Sequence, residues 1–183
     1  MEEAKERAKW YVMFTRTGAE ERVVKFLNKK LDTSLHTTFV PVKTYPLIKK
    51  GKVIRVLRNC FPGYVFIRST STVEVFFETV VPLVAMMKEA YIFLCYGRNK
   101  YDIVMREHEQ LYLERLLNKD FCMEESIGFI EGDRIRVTEG PMVGLESFIK
   151  RINKRKRTAV VEISIMGSVR EITLMLDLIE KAD

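Results

Sequence analysis

The hydrophobic period changes along this chain, and that change constrains the fold more than any single motif. In Thr158 to Ile165, Val161, Ile163 and Ile165 alternate with Glu162 and Ser164, the period of two expected of a strand with one buried and one wet face. Brief apolar runs of the same kind recur at Arg134 to Thr138, Ser147 to Asn153, Val169 to Thr173 and Asp177 to Glu180. Gly140-Pro141, Asn153 to Arg157 and Met166-Gly167-Ser168 interrupt them with residues suited to tight or solvated backbone. Five short strands at close intervals predict a small barrel.

Upstream the pattern mixes strands with helices. Trp10 to Thr15 is aromatic and β-branched and stops at Gly18, which predicts a first strand and a turn. From Ala19 to Leu31, Val23, Phe26, Leu27 and Leu31 fall at helical spacing, with acids at the start and lysines at the end to suit the helix dipole. Phe39 to Val42 reads as extended, and Lys49 to Lys52 as a basic turn leading into Val53 to Leu57, a hairpin. Phe61-Pro62-Gly63 is a turn ahead of a strand, Tyr64 to Arg68, on which Tyr64 and Phe66 share a face. Val73 to Val81 and Arg106 to Leu117 read as helices, and Tyr91 to Leu94 as a short buried strand. Residues 118–127 lack periodicity and carry Asp120, Glu124 and Glu125, so the expected domains are 1–117 and 128–183 with a linker between them.

With 183 residues, 47% hydrophobic and 31% charged, the chain has core enough for two compact units and is not a disordered polymer. The net charge of +6 favours an anionic partner, nucleic acid first. No apolar run reaches the roughly 18 residues needed to span a bilayer, and the charged N-terminus, with Glu2, Glu3, Lys5, Glu6, Arg7 and Lys9, offers no secretory h-region. A cytoplasmic protein without membrane contact is expected. Cys60, Cys95 and Cys122 are too few and too scattered for a disulfide framework or a zinc site, and read as reduced core thiols.

The densest charge signal is Lys150 to Arg157, where Lys150, Arg151, Lys154, Arg155, Lys156 and Arg157 put six cations into eight residues around Asn153. At a hairpin tip such a run can lie along phosphates, which confers affinity without sequence choice; a solvated turn that protects a sheet edge is the competing reading. Tyr64 and Phe66, with Phe14 nearby, could form an apolar docking pocket or simply core. The common catalytic signatures, GxSxG, the phosphate-cradling GxxxxGK[ST] and HExxH, are absent, and His36 and His108 stand alone. Neither an enzyme nor a cofactor is expected.

Two groups of motifs, taken in order, resemble the NusG family of transcription elongation factors. They are Trp10-Tyr11-Val12 with Phe61-Pro62-Gly63-Tyr64-Val65-Phe66, then Gly132 to Val137 with Glu139-Gly140-Pro141. The resemblance spans nearly the whole chain and also takes in Ser164 to Gly167 and Leu178 to Lys181. It implies an α+β protein: an N-terminal α/β domain, an antiparallel sheet flanked by helices, followed by an SH3-like five-stranded β-barrel, the KOW domain. It further implies that Phe14, Tyr64 and Phe66 face the clamp helices of bacterial RNA polymerase. Glu21 to Lys25 and the Ser69 to Thr72 loop would lie near upstream DNA and the opposite polymerase lobe.

Met142 and Met166 stand where the housekeeping branch typically has phenylalanine in its KOW turns, which touch a ribosomal protein and the termination factor Rho. With the basic run, this makes the chain look most like the specialised LoaP branch, processive antitermination factors of Gram-positive bacteria. That likeness implies a monomer whose KOW domain binds an RNA hairpin in the nascent leader transcript through Lys150, Arg151, Asn153, Lys154, Arg155, Lys156 and Arg157. The alternative is a general NusG-like factor that couples polymerase to ribosome or Rho without hairpin recognition.

Overall fold

A computed structural model describes residues 7–99, 101–132 and 134–179. The acidic and basic residues expected at 2–6, and Glu180 at the end of the last expected strand, lie outside the described residues. By packing the chain divides into two units, one formed by Met1–Val40 with Phe61–Gln110, the other by Pro41–Cys60 with Leu111–Asp183.

The first unit holds β1 (Lys9–Thr15), α1 (Glu20–Lys30), β2 (His36–Phe39), β5 (Tyr64–Ser69), α2 (Val73–Ala85) and β6 (Ala90–Phe93). The second contributes β3 (Val42–Lys49) and β4 (Lys52–Asn59) between β2 and β5 in chain order. Four strands of the first unit form an antiparallel sheet in the order β2-β5-β1-β6. Alternation along β1 and β5 sends Tyr11, Met13, Val65 and Ile67 to one face, where Val23 and Leu27 of α1 and Phe76, Val80 and Val84 of α2 close over them. Tyr11 stacks on Phe76 with ring centroids 3.6 Å apart.

α1 matches its charge pattern, with Glu20 and Glu21 in the first turn and Lys29 and Lys30 in the last. α2 starts where Thr72 caps it, its side-chain oxygen accepting from the Val75 N–H at 3.3 Å. It runs four residues past the expected end at Val81 and through Pro82. Proline removes one helical donor, yet Val84 continues the buried stripe of Phe76 and Val80, and that packing outweighs the local penalty. β6 departs from the expected buried strand. Tyr91 and Ile92 are 55% and 62% exposed because β6 is the edge strand, paired with β1 alone among the described residues.

The extended stretch at Phe39 to Val42 is broken between β2 and β3 at Val40-Pro41, where proline has no N–H to give a ladder. β3 and β4 form the expected hairpin, with Lys50 and Gly51 at positive φ in its turn. β3 also pairs in parallel with β7 (Cys122–Met123), giving the order β4-β3-β7. The remaining strands, β8 (Ser126–Glu131), β9 (Arg134–Glu139), β10 (Ile149–Asn153), β11 (Thr158–Ile165) and β12 (Ser168–Leu178), form a five-stranded sheet in the order β10-β11-β12-β8-β9.

The number of strands is as expected, but two assignments differ. Val169 to Thr173 and Asp177 onward are parts of one long strand, β12, and the fifth strand is β8. Residues 118–127, read as linker, carry β7 and the start of β8. Pairing with β3, β9 and β12 supplies backbone partners that the local sequence gives no sign of. Ala159, Val161, Ile163 and Ile165 of β11 and Ile172, Leu174 and Leu176 of β12 are buried in this unit, and Met166-Gly167 closes β11 on β12 in a two-residue turn with both residues at positive φ. α3 (Glu107–Leu116) follows β6 in the chain, and from Leu111 on it packs with the second unit, Tyr112 meeting Phe148 at 4.8 Å between rings.

His36 is buried against Phe76, with ring centroids 6.1 Å apart. Burial holds its pKa below 6.5, and Asp32 only partly offsets this. A histidine whose pKa is lower folded than unfolded contributes stability present above pH 6.5 and lost as pH falls below it. Chemical denaturation at pH 7.5 and 5.5 should show a loss of stability in the wild type at the lower pH that is smaller in His36→Gln.

Candidate functional site

The antiparallel register sets Phe14 opposite Tyr64 and Val12 opposite Phe66. Phe14 and Tyr64 meet edge to face at 5.7 Å, and Tyr91 of the edge strand joins at 5.8 Å from Phe14. Phe14 is 38% exposed and Tyr64 half-buried. Phe66, on the same face, has no exposed surface and packs among Trp10, Phe39 and Phe61 at 6.3, 5.7 and 5.9 Å. The three residues singled out in the sequence are thus together, but only two reach the surface. Tyr91 was missed because an apolar tetrapeptide carries no sign of whether it lies at a sheet edge. Next to it, between α2 and β6, runs an apolar groove of about 420 Å³ lined by Phe77, Val81, Val84, Tyr91, Phe93 and Ile103.

The aromatic surface is held from beneath by a carboxylate. Glu20 is buried at the start of α1, where Oε1 accepts from the Gly63 N–H at 2.6 Å and Oε2 from the Gly18 N–H at 2.7 Å. Gly63 in turn accepts from the Thr15 N–H at 2.7 Å. At φ +84° its missing side chain leaves room for Phe14, since a Cβ there would stand 3.0 Å from the Phe14 ring. One carboxylate therefore ties the turn after β1 to the turn before β5.

The basic run sits at the tip of the β10–β11 hairpin. Asn153 pairs with Thr158, and the loop between them is closed by Lys156 N–H donating to Asn153 Oδ1 at 2.9 Å and Arg157 N–H to the Lys154 carbonyl at 3.2 Å. Cross-strand acids neutralise three of the six cations: Lys150 meets Glu162 at 2.8 Å, Arg151 meets Glu171 at 2.6 Å, and Arg157 meets Asp177 at 3.3 Å. Exposed pairs of this kind add little stability, but they remove charge. Lys154, Arg155 and Lys156 are exposed and have no ion pair among the described residues, so within this run the open positive charge falls on the loop.

Beside the tip lies a groove of about 290 Å³ lined by Tyr45, Arg151, Asn153, Lys156, Thr158 and Thr173. The Arg58 guanidinium stands 4.4 Å from the centre of the Tyr45 ring. Neither Tyr45 nor Arg58, which lie about a hundred residues before the basic run, was singled out in the sequence as a site residue, although Arg58 was read as charge added near the basic turn at Lys49 to Lys52. Deeper in the same unit, burial lowers the pKa of Lys43 and pushes the Cys60 thiol up to about 12, which keeps it protonated at neutral pH. Among the described residues no cluster of His, Cys, Asp or Glu could hold a metal ion.

A family model described as "Transcription termination factor nusG" matches residues 8–111, more than half of the chain. The chain belongs to the NusG family. Members of that family are non-enzymatic transcription factors that bind RNA polymerase. The transcription termination/antitermination protein NusG of Rickettsia prowazekii is 25% identical over 180 residues, covering 95% of this chain and 90% of its own. That of Halalkalibacterium halodurans is 26% identical over 182 residues, covering 94% and 97%. Among solved structures, one of Thermotoga maritima NusG concerned with domain interaction superposes with a TM-score of 0.52 at 22% identity, covering 92% of this chain and 94% of that one, which supports the NusG-like fold. No helix among the described residues is long and apolar enough to cross a membrane.

Removing the Glu20 carboxylate orphans two backbone donors. Glu20→Ala should cost about 3 kcal/mol in chemical denaturation. Glu20→Gln, with a single carbonyl oxygen in place of two carboxylate oxygens, should fall between Glu20→Ala and wild type.

Proposed function

We propose that this NusG-family protein is a processive antitermination factor that holds a nascent leader RNA hairpin on its C-terminal sheet and transcribing RNA polymerase on its N-terminal sheet. The observation that carries the RNA half is that, of the six cations in the basic run, Lys154, Arg155 and Lys156 stand unpaired at one loop, while Lys150, Arg151 and Arg157 are neutralised by acids on neighbouring strands. An A-form stem shows side chains mainly phosphates, 2′-hydroxyls and shape, which suits a compact cationic tip. Lys150, Arg151 and Arg157 shape that tip, and Asn153 fixes its loop.

The polymerase half rests on Phe14 and Tyr64, one exposed and one half-buried aromatic on a rigid sheet, with Phe66 buried beside them on the same face. A cluster of this kind, continued by Tyr91 and the adjoining apolar groove, suits the tip of the polymerase clamp helices. Glu21, Arg22 and Lys25 of α1 and Thr70 and Thr72 of the loop after β5 are exposed and would approach upstream DNA and the opposite lobe. The factor acts as a monomer in the cytoplasm. Met142 is fully buried and Met166 nearly so, which removes both from the surface that coupling to ribosome or Rho would use and favours the RNA reading over the general one.

Replacing Lys154, Arg155 and Lys156 together by Ala should weaken hairpin binding in gel shifts at least about tenfold and lower the salt slope by about 2 to 3, with polymerase binding unchanged. RNA affinity equal to wild type would refute the assignment, and capture of ribosomal protein or Rho without hairpin binding would establish the general factor instead. Phe14→Ala with Tyr64→Ala should leave RNA binding intact and abolish read-through of an intrinsic terminator in purified transcription, with circular dichroism confirming the fold.

A further inference from the structure

The groove beside the basic tip has a composition that phosphate binding alone does not require. We infer that it is a pocket for one unstacked nucleotide of the bound RNA, an inference that rests on the RNA-binding reading above and gives it a base-recognition element. Three features converge there. Tyr45 lines the groove, and the Arg58 guanidinium stands 4.4 Å from the centre of its ring; an aromatic face is what a splayed-out base stacks upon. Lys156 also lines it and carries a charge with no ion pair among the described residues, suited to the phosphate that would flank such a base. Arg151, although it lines the same groove, is already engaged by Glu171 at 2.6 Å and contributes shape more than charge.

Asn153 supplies direction. Its Oδ1 is occupied by the Lys156 N–H at 2.9 Å, which leaves its amide NH₂ as a donor for a base edge. Thr158 and Thr173 line the same groove, and a threonine hydroxyl can donate or accept. A solvated turn that merely protected a sheet edge would need neither the tyrosine beside its arginine nor a groove of about 290 Å³. The pocket accordingly discriminates a hairpin with unpaired residues from an uninterrupted duplex, a choice that the cations of the loop cannot make.

The test titrates the full chain at low salt with stem-loop RNAs carrying uridine, cytidine, adenosine or guanosine loops, and with the same stem as a blunt duplex. Wild type should bind at least one stem-loop about tenfold more tightly than the duplex; Tyr45→Ala should erase that preference and Tyr45→Phe keep it. Equal wild-type affinity for stem-loop and duplex, or a preference that survives Tyr45→Ala, overturns the pocket while leaving the cationic tip standing. Failure of wild type to bind any of these RNAs overturns the RNA reading and the pocket with it. A second measurement does not depend on the folding of a variant: a photoactivatable base analogue in the tightest-binding loop is crosslinked to wild-type protein. A crosslink in the tryptic peptide 44–49, which contains Tyr45, supports the pocket, and crosslinks confined to other peptides refute it.

Discussion

The register between β1 and β5 is the constraint on which the first unit depends. A slip of one residue would exchange the two faces of the sheet, sending Tyr11, Met13, Val65 and Ile67 away from α1 and α2 and burying Phe14 and Tyr64 instead. The hydrophobic pattern opposes that slip, and the buried Glu20 carboxylate reinforces the register at the strand ends by binding the Gly18 and Gly63 N–H groups together. The same few hydrogen bonds that fix the sheet therefore also fix the spacing of the aromatic surface. If it serves the polymerase docking proposed for it, a surface built on strands rather than on a loop loses little conformational entropy on binding.

The second unit solves a different problem, which is where to leave positive charge open. Six cations in eight residues would repel one another if all were free. The β11 and β12 register places Glu162, Glu171 and Asp177 within reach of Lys150, Arg151 and Arg157, leaving a short open arc at Lys154 to Lys156. In the proposed RNA complex, neutralised flanks and an exposed tip keep the contact local, with affinity from a few phosphates and orientation from the groove beside Tyr45.

Much of this architecture was legible in local pattern. The Thr158 to Ile165 alternation is β11 to the residue, the charge gradient of Glu20 to Lys30 is α1, and the basic turn at Lys49 to Lys52 closes the β3–β4 hairpin. The ordered motifs around Trp10, Phe61 to Phe66 and Gly140-Pro141 were enough to suggest the family that residues 8–111 then established. The misreadings share one cause. β7 and β8 have weak patterns of their own and exist because β3, β9 and β12 offer them partners. α2 outruns its periodicity through Pro82 because the sheet rewards burial of Val84, and β6 is exposed because nothing pairs with its outer side among the described residues.

Composition and periodicity alone settled that this chain has a mixed sheet-and-helix half, a strand-rich half and a concentrated basic loop, since those properties depend on neighbours within a few residues. Which of its aromatic and basic side chains remain available was decided by the folded chain: Phe66 was buried among Trp10, Phe39 and Phe61 while Phe14 stayed at the surface, half of the basic run was silenced by acids up to twenty residues away, and Tyr45 arrived beside Asn153 from across the chain. Availability is a property of what stands opposite a residue in space, and strand pairing between distant segments sets that.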